Sequence, residues 1–215
     1  MTAPEFPYPH AEPLYRLDVY DGLTINAARW NDEREYHRRR QNVHYQGLHE
    51  PGILSGLGVR ILQPSEIPEE MSRENLRWVE IEPGLALDVE GNPIVIPREP
   101  RQDRCFPIRD PIDEADREMT VYLYVCYHDP VVPEDRSQTN GRGVVREWFE
   151  IDQQTEPLTG REIELCRVRL KGRHYELYPP KDFLHPQMNE LDFRYRRQAR
   201  WRPWKTVRVG VLDNA

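Results

Sequence analysis

The stretch EREYHRRRQNVHYQGLHEPG, residues 33–52, sets His37, His44 and His49 among a run of arginines and closes on a glycine. Imidazoles ligate transition metals and move protons near neutral pH, so their spacing decides whether they can act together. On a helix each residue turns about 100°, which puts His37 and His44 on one face but roughly 10 Å apart along the axis. Zinc holds its ligand nitrogens at about 2 Å and asks for i, i+3 or i+4 neighbours, so no metal site is expected here. His49 lies beyond Gly47, about 120° round from His37. The histidines read instead as groups that pack or hydrogen-bond at an interface. Nucleic acid fits no better: Arg38, Arg39 and Arg40 are consecutive and fan to different faces, and Glu33 and Glu35 oppose them.

Other chemistries find little purchase. Ser55, Ser65, Ser72 and Ser137 are the serines, and none stands in a G-x-S-x-G turn. Two carboxylate groups occur, Asp110, Asp113, Glu114 and Asp116 in a Pro-flanked loop and Glu80, Glu82 and Asp88 around a hairpin, where solvated turns and cross-strand charges account for them. No EF-hand loop, H-E-x-x-H or Walker motif is present. GILSGLGV leads into a strand, whereas a dinucleotide loop must lead into a helix. Cys105, Cys126 and Cys166 are odd in number and lack C-x-x-C spacing, so they read as buried free thiols. No catalytic, cofactor-binding or metal-ligating residue is nominated, and no cofactor is expected.

The elements that would position these residues can be read from pattern. Pro4, Pro7, Pro9 and Pro13 keep the first 13 residues extended, as an arm. LYRLDVYDGL then reads as a short strand closed by an Asp21-Gly22 turn. Asn26 is a good N-cap, and helix formers run from there to about Leu48. The helix has only narrow apolar rows, one of Trp30, His37, Gln41, His44 and Leu48, the other of Ala28, Tyr36 and Val43. A helix without a wide apolar stripe bridges between bodies, so this one is expected to serve assembly.

After Pro51 the texture changes to short β-type runs separated by Pro, Gly, Asn and Asp: ILSGLGVRIL, RWVEIEPGLALD, PIVIP, MTVYLYVCYHD, REWFEID and IELCRVRL. VYLYVCYH is apolar on both alternating faces and reads as a strand covered on both sides. Glu90-Gly91-Asn92 reads as the turn of a hairpin. The expected fold is mainly β, a β-sandwich or small barrel, with one N-terminal α-helix and extended terminal arms. The expected divisions are an N-terminal arm and short strand (1–23), an assembly helix (24–49), a β-rich domain (50–175) and a basic, aromatic C-terminal extension (176–215).

Of the 215 residues, 38% are apolar and 31% charged, a low apolar share for a chain that buries its surface alone. No run approaches the roughly 20 apolar residues of a membrane span and prolines break the start, which places the chain in the cytoplasm without direct membrane insertion. Against a total charge of −7, residues 193–209 carry +7 with no acid among them, so the remainder carries −14. This basic tail interleaves arginine with Tyr195, Trp201 and Trp204. It suits either folding back on the acidic body or docking on another subunit, and docking is the expectation. The acidic body argues for a protein partner over a phosphate backbone.

Four pieces, in order, carry a resemblance. They are YDGLTINAARWNDEREYHRRRQNVHYQGLHEPGILSGLGVRI; VEIEPGLALDVEGNPIVIP; VYLYVCYHD with VVREWFEI; and IELCRVRL with ELDFRYRRQAR. Together they resemble a family of accessory proteins found with phage-tail-like contractile injection systems and prophage tails. The Y-H-R-R helix leading to L-H-x-x-G-I-x-x-G-L-x-V, and the P-G-x-A-L-D-x-x-G-x-P-I hairpin, are its most specific parts. Glu50-Pro51 and the chain after Arg200 depart from the pattern. The resemblance implies a non-enzymatic structural subunit at or near the baseplate, in several copies, contacting baseplate, sheath or tube proteins within a large assembly. Trp30, Tyr36, His37, His44, Tyr195, Arg197, Arg200, Trp201 and Trp204 are the expected partner-binding residues. The rival readings are a ligand- or carbohydrate-binding β-sandwich module and a hydrolase with its site scattered across loops.

Overall fold

A computed structural model describes residues 13–67, 77–109, 118–128, 147–171 and 176–201. The described chain is mainly β with one α-helix, α1 (Ala27–Leu48). The strands are β1 (Gly52–Gly56), β2 (Val59–Ile61), β3 (Arg77–Ile81), β4 (Gly84–Leu87), β5 (Pro93–Ile96), β6 (Cys105–Ile108), β7 (Met119–His128), β8 (Trp148–Gln154), β9 (Ile163–Leu170) and β10 (Leu191–Asp192). They form three antiparallel sheets, ordered β1-β4-β5, β2-β3-β6 and β10-β9-β7-β8, and no barrel closes among the described residues.

One apolar core joins all three sheets. Ile53 and Ile94 reach it from the first, Val79 and Ile81 from the second, and Val121, Leu123, Val125 and Val168 from the third. Alternation explains β7, whose Val121, Leu123 and Val125 are buried while Tyr122, Tyr124 and Cys126 on the other face are only half-buried. The expected covering of both faces is therefore partial on the tyrosine side. In β9 a register shift beside Leu123 lets Leu165 and its neighbour Cys166 both turn inward, as a bulge does.

The β4–β5 hairpin turns at Glu90-Gly91-Asn92 as its residue types predict. The Gly91 amide donates to the Asp88 carbonyl at 3.2 Å, the Asp88 carboxylate accepts from the Asn92 amide at 2.8 Å, and Gly91 has φ +82°. Cys105 and Cys166 are buried and Cys126 is half-buried. Burial pushes the Cys166 thiol up to about 12 and Cys126 to about 11, so both stay protonated and unreactive at neutral pH.

Glu80 on β3 departs from a solvated hairpin charge. It is buried and ringed by arginines: its cross-strand neighbour Arg60, Arg101 at 3.0 Å, and Arg104 at 3.0 Å, whose side chain is only 6% exposed. Arg104 also donates to the carbonyls of Ile81 and Arg98. Burial raises the Glu80 carboxyl, but hydrogen bonds from Arg101 and Arg60 outweigh it, and it ends below the usual carboxylate range. Asp110, Asp113, Glu114 and Asp116 lie outside the described residues.

Two expectations need correction. Residues 14–20 are not a strand: they pair with no described strand, and the Leu17 amide donates to the Glu33 carboxylate of α1 at 3.2 Å. The Asp21-Gly22 turn is present, with the Leu23 amide donating to the Tyr20 carbonyl. The described part of the basic tail is not a free docking arm either. Residues 197–200 run alongside β1: the Ile53 amide donates to the Arg197 carbonyl at 2.8 Å, Ala199 to Ile53 at 2.9 Å, and Glu50 to Arg200 at 2.8 Å. Gly52 permits this approach, since a Cβ there would lie 2.7 Å from the Arg197 oxygen. The tail thus covers an open sheet edge of its own subunit.

Candidate protein–protein interface

Helix α1 starts where a polar cap allows it: the Asn26 side chain accepts from the Arg29 amide. Its interior is held by pairs one turn apart, Glu35 with Arg38 and Arg39 and Glu33 with His37 at 3.0 Å. Hydrogen bonding from Arg38, aided by Arg39, holds the Glu35 carboxyl below its ordinary range despite some burial. These contacts sustain a helix with no fully buried apolar side chain; Gln46 is its buried residue. Packing of an apolar face, the usual source of helix stability, is replaced here by polar and backbone contacts at one end.

That end is the C-terminal third. The side-chain amides of Asn42 and Asn92 meet at 2.8 Å, and Gln46 donates to the Glu90 carbonyl. The helix backbone sits on the hairpin turn so closely that a Cβ on Gly91 would lie 2.5 Å from the Asn42 carbonyl oxygen. Gly91→Ala is therefore expected to shift α1 as well as strain a positive φ, costing about 1–3 kcal/mol, which a melting curve will detect.

Apolar surface lies on the segment before the helix and on its first turn. Leu14, Tyr15, Val19, Tyr20, Ile25 and Trp30 are all large, apolar and 40% exposed or more, with Trp30 at 60%. Tyr36 and Val43 are half-buried, whereas Trp30, His37, Gln41 and His44 form an exposed row along the helix. The narrow row noticed in the sequence is thus the outward one. Single exposed apolar residues are ordinary, but six between positions 14 and 30 form a concentration that soluble surfaces seldom carry without a partner.

The remaining expected partner-binding residues are dispersed. Tyr195 lies under the Arg167 guanidinium, 3.3 Å from ring centroid to Cζ, at the far sheet. Arg197 and Arg200 spend their carbonyls on β1 and its approach, with exposed side chains. Trp201 stands beside His49 at the foot of α1, ring centroids 4.7 Å apart, and is 69% exposed. Trp204 lies outside the described residues. The exposed pair Phe183 and Leu184, at 66% and 69%, escaped sequence reading because a Pro-flanked loop gives no periodic signal.

No protein-family model, curated protein or solved structure gives a significant match to this chain. No helix among the described residues is long and apolar enough to cross a membrane. The same residues contain no group of three or more His, Cys, Asp or Glu side chains placed to hold a metal ion.

Proposed function

We propose that this chain is a non-enzymatic structural subunit of a phage-tail-like contractile injection system, at or near the baseplate and within a large cytoplasmic assembly. The observation that carries the reading is the apolar surface from Leu14 to Trp30, left exposed on the segment before α1 and on the first turn of the helix. A chain with a complete β core and a helix anchored at one end is suited to joining neighbours, because the exposed side chains finish their burial only between subunits. The resemblance of the Y-H-R-R helix and the P-G-x-A-L-D hairpin supplies the kind of assembly. The hairpin turn and the helix are in contact here, which gives the two most specific segments a common purpose: one holds the other out.

Tagged full-length protein recovered from native cells is expected to co-sediment with sheath, tube or baseplate proteins. Trp30→Ala should release it from such particles while changing stability by no more than about 0.5 kcal/mol, as an exposed site should. Tyr36→Ala, at a half-buried position, should weaken assembly with a somewhat larger loss of stability. Wild-type protein that stays monomeric in lysates rich in tail particles would sink the proposal.

A further inference from the structure

The outward face of the four-stranded sheet carries a feature that the helix does not use. Cross-strand register places Thr120 opposite Arg169, Tyr122 opposite Arg167, and Asp192 opposite Arg167 on the other side. The loop before β10 folds over these residues, leaving an open groove of about 400 Å³ that Arg194 and Tyr195 also line.

The arginines are held in advance of any ligand. Arg167 is gripped in fork geometry by Glu164 and lies between the Tyr195 and Tyr122 rings, 3.3 and 4.9 Å from their centroids. Arg194 makes two bonds to Asp192, at 3.0 and 2.8 Å, and a third to the Leu184 carbonyl. Arg169 donates to the Pro186 carbonyl at 2.9 Å and, among the described residues, has no carboxylate partner. Each guanidinium carries five N–H donors, so each keeps donors to spare in a fixed place. Fixing a guanidinium beforehand removes much of the ordering cost of binding.

Beside the groove, apolar side chains are held in water by a braced turn. The Asp182 carboxylate accepts from the Leu184 amide and contacts His185 Nδ1, both at 2.9 Å, and Gln187 donates to the His185 carbonyl. Phe183 and Leu184 stand exposed on this turn, with the Phe183 ring 6.3 Å from that of Phe193.

We infer that this groove docks an acidic peptide segment of a partner protein, a carboxylate seated on Arg169 and the free donors of Arg167 and Arg194, with a neighbouring apolar side chain against Phe183 and Leu184. Charge complementarity selects the occupant: Glu164 and Asp192 balance Arg167 and Arg194, and the guanidinium of Arg169 leaves the groove with a positive charge for a carboxylate to match. A phosphate backbone needs a row of cations, and among the described arginines lining the groove only Arg169 lacks a carboxylate partner, so nucleic acid fits worse. The inference does not depend on the chain's being a tail subunit.

The test is fluorescence anisotropy of the full chain with a labelled peptide of about nine residues alternating Glu with Leu and Phe, beside its Gln counterpart. The acidic peptide should bind at least about tenfold more tightly, and more weakly as salt rises. Arg169→Gln should cost about tenfold or more, Arg169→Lys less, and Arg40→Gln on α1 nothing. Thr120→Glu, which sets a carboxylate opposite Arg169, should also abolish binding. Melting curves will verify that the variants are folded. Equal binding of the two peptides, indifference to both Arg169→Gln and Thr120→Glu, or tighter binding of an oligothymidylate would each overturn the inference.

Discussion

A chain ended after Phe193 is expected to unfold or precipitate under conditions in which one ended after Trp201 stays folded. The shorter chain loses three backbone hydrogen bonds along β1 and its approach, and the Arg196 guanidinium that bonds the carbonyls of Gly56 and Leu57. It also strands the buried Asp192 carboxylate, whose ion-pair partner is Arg194 at 2.8 Å. At about 1 kcal/mol for each backbone bond and a few more for the orphaned carboxylate, the loss is on the order of 5 kcal/mol, comparable to the whole stability of many domains. Urea titration of the two truncated chains will check it. If the chain ended at Phe193 unfolds at the same urea concentration as its longer counterpart, the tail contributes nothing to the fold. Gly52→Ala should reproduce part of the loss in the full chain, because its Cβ would meet the backbone of residues 197–199.

Glu80→Ala is expected to cost about 3–5 kcal/mol, since it leaves the Arg104 guanidinium buried without its carboxylate. Replacing Glu80 by Leu and Arg104 by Met together should recover much of that loss, as removing both charges spares the desolvation of either. The exposed Arg60 and Arg101 can turn to solvent. A pH dependence follows from the same cluster. The folded Glu80 carboxyl lies below its unfolded value, so the native state binds fewer protons, and its contribution is complete above the unfolded value. It is lost as pH falls through the folded value. Asp192 behaves in the same sense: burial raises it, and Arg194 more than restores it. Asp88, raised by burial, works in the opposite direction. Acid titration of the unfolding free energy should therefore be shallower in the Glu80/Arg104 double variant. An unchanged slope would assign the acid sensitivity elsewhere.

Much of the fold was written in local pattern. Asn26 marked the start of α1, alternation marked β7, and Glu90-Gly91-Asn92 marked the β4–β5 turn. Other elements depended on partners that a linear reading cannot see. Pro107 disguised β6, which tolerates it as an edge strand beside β3. Two residues are too few for β10 to signal itself. The alternation of residues 14–20 suggested a strand, but they pair with no described strand. The exposure of α1 was legible in part: its thin apolar rows identified a helix that its own core would not bury. The groove was not legible, because Thr120, Arg169, Pro186 and Arg194 come from separate stretches joined only by strand register.

The footing of α1 on Gly91 has a mechanical side. At 1.5 Å per residue, Trp30 stands roughly 24 Å from Gln46, so the helix is a lever whose pivot is the hairpin turn. A tilt of about 10° at the pivot would carry the indole roughly 4 Å sideways, further than most contacts can stretch. The aim of the far tip is thus governed by a few atoms at the near end. A methyl group added at position 91 can misdirect a surface it never touches.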